Sequence, residues 1–153
     1  MGAMQGSVTV SMAAPAEKIW DLIADVRNTG KFSPETFEAE WLDGATGPAL
    51  GARFRGHVRR NEIGPVYWTT CRVTACEPGR EFGFAVLAGD RVVNNWHYRL
   101  EPTASGTDVT ESFRLEQNPV LAVYSLFGGQ LRRRRNLRDM RKTLDRIKAV
   151  VEQ

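Results

Sequence analysis

The sequence is poor in the groups that build disulfide frameworks and metal centres: two cysteines and two histidines in 153 residues. Cys71 and Cys76 stand five apart in what reads as one strand, and an odd spacing places them on opposite faces. Neither a mutual disulfide nor a shared metal is expected, and two buried thiols are the ordinary outcome. His57 and His97 alternate with the apolar sets Phe54/Val58 and Trp96/Tyr98, so both are expected to face solvent. No second ligand stands at metal spacing from either, so no metal or other cofactor is expected. The chain also lacks any apolar run near the roughly 18–20 residues that span a bilayer. Its start, "MGAMQGSVTV", has no basic region followed by an apolar one, so no secretory signal is read there. Gly6 stands where a myristoylation start wants Ser or Thr. A soluble cytoplasmic protein is the expectation. Missing too are the Gly-x-Ser-x-Gly elbow, the Walker motif and the dinucleotide fingerprint, which removes the common nucleophile and nucleotide sites. Repeats, low-complexity tracts and linkers are absent. A chain of 153 residues then reads as a single domain, 1–153, large enough for a full hydrophobic core.

What is present begins with an uneven charge. The net charge is +3, yet residues 131–148 hold nine Lys/Arg against two Asp/Glu, a local +7. The remainder therefore carries −4. Basic character belongs to one C-terminal segment and not to a whole face, so no specific nucleic-acid partner is expected.

Hydrophobic periodicity divides the chain into elements. "SVTVSM" (7–12) alternates as a strand does. "APAEKIWDLIADV" (14–26) changes to helical spacing, with Pro15 suited to a first turn and Ile19, Trp20, Leu22, Ile23 and Val26 on one face. "RNTGKFSP" breaks that helix at Gly30 and Pro34. Six further strands are predicted, over 36–43, 52–62, 66–77, 81–88, 91–101 and 107–116, with turn-rich links between them. Asn118-Pro119 then opens a long helix to the end of the chain, with a kink or break expected at Gly128-Gly129. Short sequential links argue for an antiparallel meander, and helices on one side of it make an α+β fold. A strongly curved sheet closing on a long helix would leave a space between them, and such spaces become ligand cavities.

"VTVSMAAPAEKIWDLIADVRNTGKFSP" resembles the opening of the polyketide cyclase/dehydrase family of the START and Bet v 1-like (SRPBCC) superfamily. "LGARFRG" (50–56), "CRVTACEPGREFGF" (71–84) and "WHYRLEPTASGTDVTESF" (96–113) continue the resemblance in order over nearly the whole chain. It implies a helix-grip fold: a curved seven-stranded antiparallel sheet around a long C-terminal helix, enclosing an apolar cavity. It also implies a lipid, sterol or polyketide ligand, with cyclisation or dehydration in some members. Phe32 stands where the family often has Trp. The family's motifs are structural and specify the fold far better than the function.

Alternation gives the candidate site residues. Val109, Glu111, Phe113 and Leu115 share one strand face; Asn94, Trp96, Tyr98 and Leu100 share another. Asn94, Tyr98 and Glu111 are thus polar groups on faces expected to line the cavity. An inward Glu must be hydrogen-bonded, paired or protonated, and burial raises its pKa unless a cation is close. It belongs either to a structural network within the sheet or to ligand orientation and general acid/base work.

In "LRRRRNL" (131–137) each residue advances about 100° around the helix, so four arginines cannot share one face. Leu137, Met140, Leu144, Ile147 and Val151 mark the apolar stripe, and stepping back four from Leu137 gives Arg133. Arg132, Arg134 and Arg135 are expected in solvent and Arg133 toward the sheet. There it would snorkel to the cavity mouth, pair with Glu111, or meet an anionic ligand. The expected ligand contacts are Asn94, Trp96, Tyr98, Glu111, Phe113, Arg133 and Leu137, with Glu111, Tyr98 and Arg133 as the catalytic candidates. "VLAVYSLF" (120–127) is apolar nearly all round. It is either buried under the sheet rim or, with the basic run after it, a patch for anionic membrane contact across 120–148 or for a second copy.

Three functions fit. The first is a carrier or sensor of a small hydrophobic ligand, isoprenoid, lipid-like or aromatic. The second is a polyketide aromatase/cyclase or dehydratase. The third is an interaction protein working through the basic helix on membrane or nucleic acid. The lack of a nucleophile or metal motif favours them in that order.

Overall fold

The computed structural model describes residues 5–59, 66–116 and 119–153, with the side chains of the last segment from residue 133 onward. The chain forms β1 (Gln5–Met12), α1 (Ala16–Ala24), a 3-10 helix (Val26–Lys31), β2 (Thr36–Trp41), β3 (Arg53–Arg59) and β4 (Val66–Glu77). It continues with β5 (Glu81–Ala88), β6 (Arg91–Thr103), β7 (Gly106–Leu115) and α2 (Pro119–Val151). The seven strands make one antiparallel sheet in the order β1-β7-β6-β5-β4-β3-β2. After β1 the chain crosses to the far edge through α1 and the 3-10 helix. It then returns strand by strand until β7 pairs with β1. A curved antiparallel sheet closed by a C-terminal helix is the helix-grip architecture that the sequence implies.

Several boundaries differ from expectation for local reasons. Pro15 is the N-cap and not the first helical residue, with φ −69° and ψ 149°. "RNTGK" does not end all helix, because Asp25 caps a new 3-10 turn by accepting the Arg27 backbone N–H at 3.1 Å. α2 runs as a single helix through Gly128-Gly129 without the expected break. Asn118 and the expected last residues of the third strand, 60–62, lie outside the described residues.

The cysteine geometry is also a correction. A bulge in β4 between Val73 and Ala75 inserts one extra residue, so Cys71 pairs with Val86 and Cys76 with Phe82. Val86 and Phe82 lie on the same face of β5, so both cysteines point to the concave side. Simple alternation fails there because a bulge resets the period-2 count. Both thiols are free.

The core lies between the concave face and the two helices. Ile19 and Ile23 of α1, Leu144 and Ile147 of α2, and Val73, Phe82 and Val109 of the sheet are all nearly inaccessible. Burying each such side chain stabilises the fold by about 1.5–3 kcal/mol relative to exposure. Polar ties fix α1 on the sheet and on α2. Trp20 Nε1 donates to the Glu81 carbonyl at 2.8 Å and Lys18 Nζ to the Val151 carbonyl at 2.8 Å.

Candidate functional site

A cavity of about 450 Å³ opens between the sheet, the Phe32–Pro34 loop and α2. Its apolar wall includes Phe32, Phe54, Phe82, Phe84, Val86, Trp96 and Met140. The register explains this lining. Leu115, Asn94, Val86, Cys71 and Phe54 follow one another across five strands, and Glu111, Tyr98, Phe82 and Cys76 form a second inward row. Apolar and polar inward positions thus fall in line across the curved sheet.

At one end Glu111 of β7 stands directly opposite Tyr98 of β6. Such cross-strand neighbours have Cβ atoms about 4.5–5.5 Å apart, close enough for their ends to meet. The Tyr98 hydroxyl donates to Glu111 Oε2 at 3.0 Å, and both residues line the cavity. Glu111 is 4% exposed, and its Oε1 has no hydrogen-bond partner among the described residues. Burial pushes the Glu111 carboxyl up to about 8, against the opposing pull of the Tyr98 hydrogen bond. Burial, and then the neighbouring Glu111 charge, hold Tyr98 well above the ordinary phenol range. At neutral pH the pair is therefore mostly a protonated acid beside a neutral phenol, able to donate or accept a hydrogen bond within an apolar cavity.

Of the seven residues predicted from the sequence, four line the cavity: Asn94, Trp96, Tyr98 and Glu111. The other three do not. Phe113 is buried beside the Trp96 ring, with centroids 5.7 Å apart. Leu137 sits over Gly6 of the edge strand; a Cβ on Gly6 would lie 2.8 Å from Leu137 Cδ2 and 3.0 Å from Phe113 Cε1. Arg133 is exposed, and its Nε donates to the Gln5 carbonyl at 3.1 Å. It does not reach Glu111. The stripe runs as the sequence indicates, but at Arg133 it passes over the start of β1, where the sheet ends. The long side chain therefore escapes to water while bonding to an edge-strand carbonyl. Arg134 and Arg135 are exposed as expected, whereas the side chains of Arg132 and residues 120–127 lie outside the described residues.

The sequence reading missed the helix contribution. Asn136, Asp139 and Thr143 face the cavity, one residue offset from the core stripe, together with Met140 of the stripe itself. The signal was present as polar residues at i, i+3 and i+7 flanking the apolar row. Asp139 lies near Arg138 at 3.6 Å, and Thr143 Oγ1 donates back to the Asp139 carbonyl at 2.9 Å. Cys71 also lines the cavity, its thiol pushed up to about 12 by burial, which leaves it a weak nucleophile. His57 and His97 point away from the cavity, bonded to Glu38 at 2.8 Å and to Glu81 at 3.0 Å. Among the described residues no group of three or more His, Cys, Asp or Glu could hold a metal ion. No helix among them is long and apolar enough to cross a membrane.

Comparison with known proteins agrees with this architecture. The family model described as polyketide cyclase/dehydrase and lipid transport matches residues 4–152. A solved Polyketide_cyc-like protein from Corynebacterium glutamicum is 28% identical, with a TM-score of 0.69 over 98% of this chain and 92% of that one. The di-domain ARO/CYC of the steffimycin biosynthetic pathway is 13% identical, with a TM-score of 0.77 over 99% of this chain and 51% of that one. At that identity the likeness concerns the fold alone. No match is found among curated proteins.

Proposed function

Because the chain belongs to the polyketide cyclase/dehydrase and lipid transport family, we propose that it binds a small hydrophobic ligand in the internal cavity, as a carrier or sensor. The observation that carries this reading is the cavity itself: about 450 Å³, walled by aromatic and aliphatic side chains with a few polar groups. Ligand sites typically have this size and this composition. Folded proteins otherwise pack to near-crystalline density, and unfilled space in a core costs stability. Native mass spectrometry of the protein purified from its own host tests the reading. A non-covalent adduct of a small apolar molecule, lost on denaturation, is expected. A protein that is ligand-free under gentle conditions and binds no apolar probe would sink it.

A second reading, an aromatase/cyclase or dehydratase, is favoured by the Glu111–Tyr98 pair. A protonated carboxyl beside a phenol in a largely apolar pocket is suited to proton transfer at a carbonyl or hydroxyl of the ligand. Glu111→Gln separates the two readings. A carrier keeps its ligand with mildly altered affinity, whereas an enzyme keeps the ligand and loses turnover by about 10²-fold or more.

A further inference from the structure

Tyr98 and Glu111 share two exchangeable protons at neutral pH, one on the phenol and one on the carboxyl that burial keeps mostly neutral. Their mutual hydrogen bond, 3.0 Å from the Tyr98 hydroxyl to Glu111 Oε2, uses one of these protons. The other has no acceptor. Glu111 Oε1 lacks a hydrogen-bond partner among the described residues, although the residue is only 4% exposed. Because the Tyr98 hydroxyl occupies Oε2, the carboxyl proton belongs on Oε1. An unpaired O–H shielded from water costs stability, so its place in a cavity wall points to a bond completed from the ligand side. The register holds this donor in the wall. Glu111 pairs with Tyr98 and Tyr98 with Phe82 along one inward row, and all three line the cavity. From Phe82 the rings continue to Phe84, with centroids 6.1 Å apart, and on to Phe54 at 5.1 Å. The cavity thus has a polar station at β6–β7 and an aromatic wall across β3 and β5.

Resting on the ligand-binding reading above, we propose that Glu111 is the specificity-determining residue of the cavity. Its carboxyl donates from Oε1 to one acceptor oxygen of the ligand, so an apolar molecule that carries a carbonyl binds better than the same framework without one. Tyr98 is the positioning residue: by holding Oε2 it sets the direction of the remaining donor. A carbonyl oxygen accepts and brings no proton of its own, which suits a site whose surplus is a donor. A hydrocarbon of the same shape leaves the O–H unpaired, and an ammonium brings only further donors.

A matched pair of competitors tests this. 9-Fluorenone and fluorene share one fused-ring framework and differ by a carbonyl in place of a methylene. Each is titrated against the full chain by displacement of N-phenyl-1-naphthylamine. The ratio of the two affinities is compared between the native protein, Glu111→Met and Glu111→Gln, with folding checked by circular dichroism. Comparing ratios cancels the different water solubilities of the two compounds. Glu111→Met should reduce the preference for fluorenone by about three- to tenfold, the range of one neutral hydrogen bond. Glu111→Gln keeps an N–H donor in nearly the same place, and its ratio should stay within about twofold of the native one. A second readout needs no variant. The carbonyl stretch of bound fluorenone should lie at lower frequency than in hexane, because a hydrogen bond weakens the C=O bond. An unshifted stretch in the native protein, or an equal ratio in the native protein and the folded Glu111→Met variant, overturns the role of Glu111 and leaves the ligand-binding reading standing. A loss of preference in Glu111→Gln as large as in Glu111→Met also overturns it, because a donor is retained there. Failure of the probe and both competitors to bind overturns both readings.

Discussion

Glu111 is the residue whose environment has the clearest measurable consequence. Its folded pKa of about 8 lies above the ordinary carboxyl value of 4.5, because burial penalises the charged form. Between those values the folded state keeps a proton that the unfolded chain has released. Stability is therefore greatest below the lower value, falls as pH rises through the window, and levels off above the upper one. The slope is at most roughly 1.4 kcal/mol per pH unit. Glu111→Gln removes this titration while keeping an acceptor for Tyr98. Thermal melts between pH 5 and pH 9 should show the native protein losing stability across the window and the variant holding its own. Parallel pH profiles for the two would mean that Glu111 is solvated. The position of Glu111 and Tyr98 on inward faces was legible from alternation alone, because β6 and β7 keep a regular register through that point. That of Cys76 was not, since one inserted residue in β4 reverses every later side chain.

At the scale of elements, α2 is held by its stripe and not by its arginines. Met140, Leu144 and Ile147 are essentially inaccessible, so Leu144→Ala should cost about 2–5 kcal/mol, read as a lowered urea midpoint. Arg134→Gln, on the exposed side, should stay within about 0.5 kcal/mol. The β6–β7 hairpin gives a second test. Gly106 has φ +154°, and a Cβ there would overlap Met12 O and crowd Ala13 Cα at 3.0 Å. Backbone cannot yield as a flexible side chain does. Gly106→Ala should push β1 away from β7 and destabilise by a few kcal/mol, with early exchange of the β1 amides. The helical register was readable from the sequence to within one residue. Where the helix leaves the sheet was not, and that single unknown misplaced Arg133 and Leu137.

For the molecule as a whole, the cavity weakens the fold and supplies the site. A wall that lacks contacts on one side forgoes dispersion energy, and a ligand restores it. A bound apolar molecule at 100 times its Kd should add about 2.7 kcal/mol. For a chain of this length that raises Tm by roughly 5–10 °C, and the rise should grow with the logarithm of ligand concentration. The same ligand should slow labelling of Cys71, which lines the cavity, while Cys71 and Cys76 react alike in denaturant. No Tm shift at a saturating concentration would overturn the ligand-binding reading.

Period-2 and period-3.6 patterning determined the order and type of elements, the antiparallel meander and the inward placement of Glu111, Tyr98, Asn94 and Trp96, because those patterns are local. Tertiary structure alone decided which side chains meet across the space between α2 and the sheet. That depends on a bulge in β4, the end of β1 and the position of a 33-residue helix along the sheet. None of these has a period that can be read from neighbouring residues, so the make-up of the cavity wall emerged only when the sheet had closed around it.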